Sequence, residues 1–371
     1  MTGGSVPTIR RLETRPVTAT LARPWGPDVT TLSLIAVEVE DSVGSVGHGL
    51  SWTPSIGAAS VRAMLDHDIR AFAVGRPADA ETLWEPLWTH LHEAGGGGIT
   101  TIAMAGLDLA LWDLTARRAG LPIADLLGRR RDHVRAYGSG VNLHYPLDAL
   151  VAQAERWVAD GFDAVKMKVG SPDITDDVRR IEAVRQVIGP DRRLMIDANQ
   201  RWDLDRAVRA LDALAPFDLA WIEEPLRADD LAAHIRLREA SADLAVPIAL
   251  GENLHTRYRF AEFIDAGVVD VVQPNIVRVG GITPFRAIAR LADERGVTIA
   301  PHLLTDLSAQ LAMTLDRESV VEAVEGASFA DLGILDGRSP VEIDAGVVRD
   351  ARLPGLGIRL AHGAATPEGT S

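Results

Sequence analysis

Three acidic residues, each closing a short apolar run, constrain this chain more than any other feature. They are Asp197 in R-L-M-I-D-A-N, Glu223 in L-A-W-I-E-E-P and Glu252 in P-I-A-L-G-E-N. They stand 26 and 29 residues apart (223 − 197 and 252 − 223), room for a strand, a crossover helix and the next strand. An acid at the end of each of three consecutive parallel strands gathers carboxylates at one mouth of the sheet. A single Asp or Glu after a strand is commonly just a helix N-cap. Three at matching phase repel one another unless a cation holds them. Oxygen-only donors select a hard divalent ion, Mg²⁺ above all.

The surrounding chain supplies strands for such a sheet. Apolar runs at 134–137, 164–168, 194–197, 220–223, 247–250, 268–273, 298–301 and 319–322 alternate with amphipathic stretches. Eight strands with helices between most of them predict a modified TIM (β/α)-barrel, an α/β fold. Ahead of it, residues 17–50 alternate as antiparallel strands that run into a glycine-rich turn at 44–49. Residues 60–128 have helical spacing, clearest in M-A-G-L-D-L-A-L-W-D-L-T-A-R-R-A-G-L-P, closed by Gly120 and Pro122. The predicted organisation is an α+β capping domain over 1–130 and the barrel over 131–340. The segment 341–371, rich in turn residues and too short for another unit, is expected to return to the capping domain.

Composition narrows the class. A chain of 371 residues, 47% hydrophobic and 24% charged, can build two sizeable cores. A net charge of −14 argues against a nucleic-acid partner, which would need a basic footprint. The absence of cysteine excludes disulfides, thiolate metal sites and redox motifs. No uninterrupted apolar run is long enough to span a bilayer, and residues 1–15 lack the apolar core of a signal peptide. A cytoplasmic protein without a membrane partner is the expectation.

Further residues with chemical potential end the other strands. Lys166 and Lys168 flank Met167, and the strand period of two turns both ammonium groups into the mouth. Two facing lysines repel, so each favours losing its proton and becoming a usable base. His302 follows I-A-P on the seventh strand, across the barrel from Lys168. Asn275, in V-V-Q-P-N, ends the sixth strand and is placed to hydrogen-bond the imidazole. Glu322, in S-V-V-E, occupies the eighth strand end; kept protonated by burial, it would donate to a developing oxyanion.

Taken together, A-G-L-D-L-A-L-W-D-L…G-L-P…L-L-G at 105–128 and the ordered motifs K-M-K, D-A-N, I-E-E-P, G-E-N, V-G-G-I-T and P-H-L carry a resemblance. The chain resembles the enolase superfamily, of the mandelate racemase and muconate-lactonizing-enzyme type, over nearly its whole length. The resemblance implies Mg²⁺ bound by Asp197, Glu223 and Glu252, with Asn199 nearby and Glu224 only a neighbour. It implies removal of the proton α to a substrate carboxylate, with the metal and Lys166 stabilising the enediolate. A small-molecule carboxylate substrate and a homo-oligomeric assembly follow from it as well.

Two positions argue the subgroup. Relatives resembling muconate lactonizing enzymes or dipeptide epimerases carry a lysine two residues before G-G on the sixth strand. Arg278 stands there, and an arginine stays protonated. Lys168 facing His302 resembles instead the mandelate racemase and acid-sugar dehydratase subgroup, in which the histidine usually pairs with an aspartate. Asn275 at that place can orient the ring but supplies no charge, so His302 is expected to be the weaker base. That disfavours racemisation and favours dehydration of an aldonate or aldarate to a 2-keto-3-deoxy acid, a carbon–oxygen lyase activity. A racemase or epimerase, and a catalytically quiet metal-binding relative, are the alternatives. Y-G-S-G, with Tyr137, resembles the first strand end of sugar-acid dehydratases. Substrate contacts are expected from Tyr137, from Asn199, and from two capping-domain loops carrying Arg23, Trp25 and His48. The glycine run at 95–98 lacks the G-K-[ST] of a phosphate loop.

Overall fold

The front of the chain forms an antiparallel meander, β1 (Ile9–Trp25), β2 (Val29–Asp41) and β3 (Val46–Thr53), in a computed structural model that describes residues 6–26, 28–244 and 246–361. Alternation explains β2: Val37, Val39 and Asp41 are buried, with Glu38 and Glu40 between them on the wetter face. The expected glycine-rich turn at 44–49 is mostly strand. Only the stretch around Gly44 turns, and Gly47 and Gly49 lie within β3. Their role is close approach: a Cβ on Gly47 would stand 2.1 Å from the Ala110 carbonyl oxygen, and one on Gly49 2.2 Å from that of Gly106. The strand lies backbone to backbone on the helix Ile99–Ala119.

That helix is apolar on nearly every face because it is covered on nearly every face. It is long and apolar enough to cross a membrane, yet it is buried as the core helix of the capping domain. It also reaches the barrel. The Asp108 carboxylate accepts hydrogen bonds from the Thr283 N–H at 3.1 Å and from the Thr283 hydroxyl, capping the barrel helix Ile282–Arg295. Gly281, at φ 110°, leaves room for it, since a Cβ there would lie 2.2 Å from Asp108 Oδ2. Burial pushes the Asp108 carboxyl up to about 7, against the Thr283 hydrogen bonds.

Eight parallel strands then follow: β4 (Val134–Ser139), β5 (Ala164–Lys168), β6 (Arg193–Asp197), β7 (Leu219–Glu223), β8 (Ile248–Leu250), β9 (Val271–Val272), β10 (Thr298–Ile299) and β11 (Val320–Val324). They hydrogen-bond in the order β10-β9-β8-β7-β6-β5-β4-β11, with helices between successive strands. The expected barrel with its capping domain is the observed fold. No ladder joins β10 to β11 among the described residues. Side chains bridge that seam: the Ser319 hydroxyl donates to the Ile299 carbonyl at 2.6 Å, and the Leu303 N–H donates to Glu322 Oε2 at 3.0 Å. Tyr137, Ala164, Met195, Trp221, Ala249 and Val271, one from each of six neighbouring strands, pack with Ala300, just past β10, as one layer inside the barrel.

The last segment departs from expectation at its start. β12 (Val341–Asp344) and β13 (Val347–Asp350) form a hairpin, and β13 pairs with the beginning of β4, so residues 341–350 extend the barrel sheet. Beyond it the chain meets the capping domain. The Leu356 N–H donates to Asp113 Oδ1 at 2.7 Å, and Arg15 donates to the carbonyls of Leu360 and Ala361 at 2.8 Å. Residues 362–371, included in that expectation, lie outside the described residues.

Candidate active site

Moving two residues along each strand from the apolar layer changes its chemistry. Ala164 leads to Lys166, Met195 to Asp197, Trp221 to Glu223, Val271 to Gln273 and Ala300 to His302, all on the same inward face. Strand register sets Lys168 beside Asp197 and Asp197 beside Glu223. Glu252 joins them from the loop after β8. Each of Asp197, Glu223 and Glu252 offers an oxygen within 4.8 Å of the other two, and all three are buried. Burial and the nearby Asp197 push the Glu223 carboxyl up to about 7. Against its own burial, Glu252 is held well below the usual carboxylate range by His302 and Lys168. Three converging carboxylate oxygens are the donor set a hard divalent cation satisfies. Glu224 turns away, at φ 41°, and both its oxygens accept from Asn253 Nδ2 at 2.9 Å.

The lysines do not behave as a mutually repelling pair. Lys166 Nζ donates to both Glu223 oxygens at 2.8 Å and sits 2.8 Å from Glu322 Oε1; Lys168 Nζ donates to Asp197 Oδ2. Burial lowers the pKa of each, but the carboxylates outweigh it. Lys166 is held well above the ordinary lysine value, chiefly by Glu223 and Glu322, and Lys168 is raised chiefly by Asp197. The expected release of protons by repulsion is therefore opposed by the very carboxylates that surround the pair.

Glu322 also differs from expectation. Burial pushes it up, but Lys166, His302 and Lys168 bring it down to about 2, so it is ionised and accepts hydrogen bonds. Its donors are the Ser139 hydroxyl at 2.7 Å, the Leu303 N–H and Lys166. Held as an anion by Lys166, Glu322 is placed to accept hydrogen bonds, where a donor to an oxyanion was expected. Tyr137 is fully buried below the site, its ring 5.6 Å from Lys166 Nζ and edge-on to Trp221. It packs in the apolar layer inside the barrel, and β4 continues two residues past it to Ser139.

His302 lies in the loop after β10, three strands round from β5. Its Nε2 is 2.8 Å from Glu252 Oε2, and its Nδ1 is 3.0 Å from Asn275 Nδ2. Burial lowers its pKa, while Glu252 and Glu322 outweigh that and raise it. Asn199, at φ 43°, donates its backbone N–H to Asp197 Oδ1 at 2.7 Å and thereby fixes that carboxylate. Gln273 was not anticipated: it donates to Glu223 Oε2 at 2.7 Å, and its place two residues before Asn275 was the available signal. Asn142, whose Oδ1 accepts from the Lys168 N–H at 2.9 Å, sits in a loop and had none.

The capping domain meets the barrel at the ends of β4 and β11. Arg23 and Trp25 line a cleft of about 250 Å³ with Gly140, Tyr145, Arg156 and Glu325, and the Arg23 guanidinium lies 3.7 Å over the Tyr145 ring. His48 is elsewhere. It sits within β3, facing Glu38, in a separate groove lined by Arg15 and Arg359. Arg278 donates to Asn253 Oδ1 and makes no ion pair among the described residues.

Comparison with known proteins agrees with this geometry. The 3,6-anhydro-alpha-L-galactonate cycloisomerase of Streptomyces coelicolor is 39% identical over 88% of this chain and 89% of its own length. The L-talarate/galactarate dehydratase of Salmonella typhimurium is 36% identical over 80% of this chain and 74% of its own. A racemase from Streptomyces coelicolor with bound magnesium superposes with a TM-score of 0.89 at 36% identity, covering 95% of this chain and 97% of that one. The L-talarate dehydratase from Polaromonas, complexed with Mg and L-glucarate, gives 0.87 at 35% identity, with 95% of each chain covered. Residues 11–128 match the mandelate racemase / muconate lactonizing enzyme N-terminal domain, and residues 149–364 match the enolase C-terminal domain-like family. With both halves matched in order around one cluster of carboxylates, the chain belongs to the mandelate racemase/muconate lactonizing enzyme family of the enolase superfamily.

Proposed function

We propose that this protein is a Mg²⁺-dependent sugar-acid dehydratase, acting on an aldonate or aldarate and giving a 2-keto-3-deoxy acid. The observation that carries the reading is the buried trio Asp197, Glu223 and Glu252, flanked by Lys166 and Lys168 with His302 round the barrel. The trio would hold the metal. When bound, Mg²⁺ would supply positive charge to the substrate carboxylate and engage the Asp197 charge that holds the Lys168 proton. Lys166, held protonated by its neighbours, donates hydrogen bonds to the carboxylate oxygens on which enediolate charge develops. Lys168, as the amine, takes the α-proton on Nζ. Loss of the β-hydroxyl as water then leaves an enol that tautomerises to the keto acid. His302 presents Nε2 on the departing oxygen's side, and Arg23, Trp25 and their cleft bind the polyol tail.

The relative named a cycloisomerase favours a second reading on the same machinery. Abstraction of an α-proton also expels a ring oxygen at the β-carbon, so ring opening and dehydration differ only in the leaving group. Racemisation is a poorer reading, since Asn275 gives His302 no charge to make it a second base. A panel of aldonates, aldarates and their anhydro or lactone forms, assayed with Mg²⁺ for 2-keto acid, tests the proposal. We expect one class to turn over. Lys168→Ala should abolish both turnover and deuterium exchange at the α-carbon. Exchange that persists in that variant would refute the role of Lys168, and an enzyme inert in exchange toward the whole panel would refute the reading.

A further inference from the structure

A hydrogen-bond chain of one sense joins the barrel mouth to the cleft beside Arg23. At its inner end the Lys168 N–H donates to Asn142 Oδ1 at 2.9 Å. Asn142 Nδ2 donates to Gln153 Oε1 at 2.9 Å, and Gln153 Nε2 donates to Glu325 Oε2 at 2.6 Å. Arg156 closes the outer end, donating from Nε to Glu325 Oε1 at 2.8 Å. Burial raises the Glu325 pKa, but the hydrogen bonds from Arg156 and Gln153 outweigh it and bring the carboxyl below its ordinary value. A backbone N–H can only donate and an ionised carboxylate can only accept, so each amide between them has one permitted orientation.

Asn142 and Gln153 are buried, whereas Arg156 and Glu325 reach solvent in the cleft. Gln153 is pressed into place: a Cβ on Gly140 would stand 2.5 Å from its Nε2. The loop carrying Asn142 is anchored twice more. Arg180, itself buried, donates to the carbonyls of Asn142 and Tyr145 at 2.8 Å, and the Arg23 guanidinium lies over the Tyr145 ring. The β4–β5 ladder stops at the Ser139–Lys166 pair, so on that side a side chain, Asn142, takes the place of backbone pairing for Lys168.

We propose that Asn142 and Gln153 are positioning residues that set Lys168 at the mouth and tie its place to the cleft wall, so that a group seated beside Arg23 tightens the alignment of the lysine. A side-chain link can shift where a ladder cannot, and a misplacement of about 1 Å at a reacting group costs about a hundredfold in rate. The chain stands on the protein's own contacts; the base and the polyol tail that it connects rest on the function proposed above.

Lys166 and Lys168 are the only lysines in the sequence. Labelling the full-length protein with ¹⁵N-lysine therefore gives two backbone amide signals, with Lys166, inside the ladder, as the internal reference. In the parent the Lys168 amide should exchange slowly with deuterated water. Asn142→Ala, which removes its acceptor, should speed that exchange about tenfold. Gln153→Leu, one link further out, should speed it as well although Asn142 is still present. The same variant should lower kcat for α-proton exchange roughly ten- to a hundredfold while leaving the Mg²⁺ dissociation constant unchanged, a split that a general loss of stability does not produce. An unchanged Lys168 amide in Gln153→Leu, or an unchanged kcat, overturns the proposal. Should that variant fail to fold, the sense of the chain supplies another test. Asn142→Asp sets oxygen against oxygen at one end of the Gln153 amide, and adding Glu325→Gln completes the chain in reverse. The double variant should regain thermal stability lost in Asn142→Asp, and a double variant no more stable overturns the assignment. A parent inert toward every sugar acid refutes the functional reading, and amide exchange alone then decides the chain.

Discussion

Replacing Asp108 with asparagine should remove a defined pH dependence from the stability of the protein. The carboxyl is buried at the start of a barrel helix and titrates at about 7, against an ordinary value of 3.8. Because the folded value lies above the unfolded one, the native state binds the extra proton. Stability from this group is fully present below the unfolded value and is lost as pH rises toward and through the folded one. Each tenfold gain in proton affinity is worth about 1.4 kcal/mol, so the complete effect is about 4 kcal/mol, of which roughly 2–3 kcal/mol falls between pH 5 and pH 8. Asparagine keeps an oxygen for the Thr283 N–H, and its NH₂ can donate to the Thr283 hydroxyl, so the cap geometry survives without the ionisation. Urea unfolding of both proteins at several pH values across that window gives the difference curve. Asp306, pushed up to about 6 by burial, titrates in the same range but is common to both and cancels. The parent should lose stability relative to Asp108→Asn as pH rises. A flat difference, or one of opposite slope, would refute the burial argument.

Two further perturbations test the carboxylate trio and the capping core. Glu223→Gln should fold but lose the Mg²⁺-induced rise in thermal stability, which for the parent amounts to about 2.7 kcal/mol at a metal concentration a hundred times Kd; an equal rise in both proteins would exclude Glu223 as a ligand. Gly49→Ala forces a methyl to within 2.2 Å of the Gly106 carbonyl oxygen. Equilibrium unfolding should register a loss of about 1–3 kcal/mol, and unchanged stability would mean that the strand is not seated on the helix.

Much of the site was legible because strand parity is strict. Lys166, Asp197 and Glu223 lie on the inward face of their strands, and a period-two reading finds them without any contact information. Errors arose where a strand outran its apparent end. β4 runs two residues past Tyr137, which leaves the ring in the apolar layer inside the barrel. β3 begins inside the glycine cluster, which draws His48 into a strand and away from the mouth. Glycines that permit a turn and glycines that permit contact look alike until the opposing helix is known. Protonation was the least legible property of all. Whether Glu322 is acid or anion depends on Lys166, more than 150 residues away in sequence (322 − 166 = 156), standing 2.8 Å from its oxygen.

The seam between β10 and β11 gives Glu322 a second duty. A barrel wall is ordinarily closed by backbone alone, which no side-chain replacement can cut. Here one stretch of wall is fastened by the carboxylate of Glu322 to the Leu303 N–H and by the Ser319 hydroxyl to the Ile299 carbonyl. Leu303 is the residue next to His302, so slackening that fastening would shift the imidazole along with the wall. Kinetic losses in a truncated Glu322 variant therefore mix scaffold with chemistry. Only a replacement that keeps an oxygen facing Leu303 isolates what the negative charge contributes.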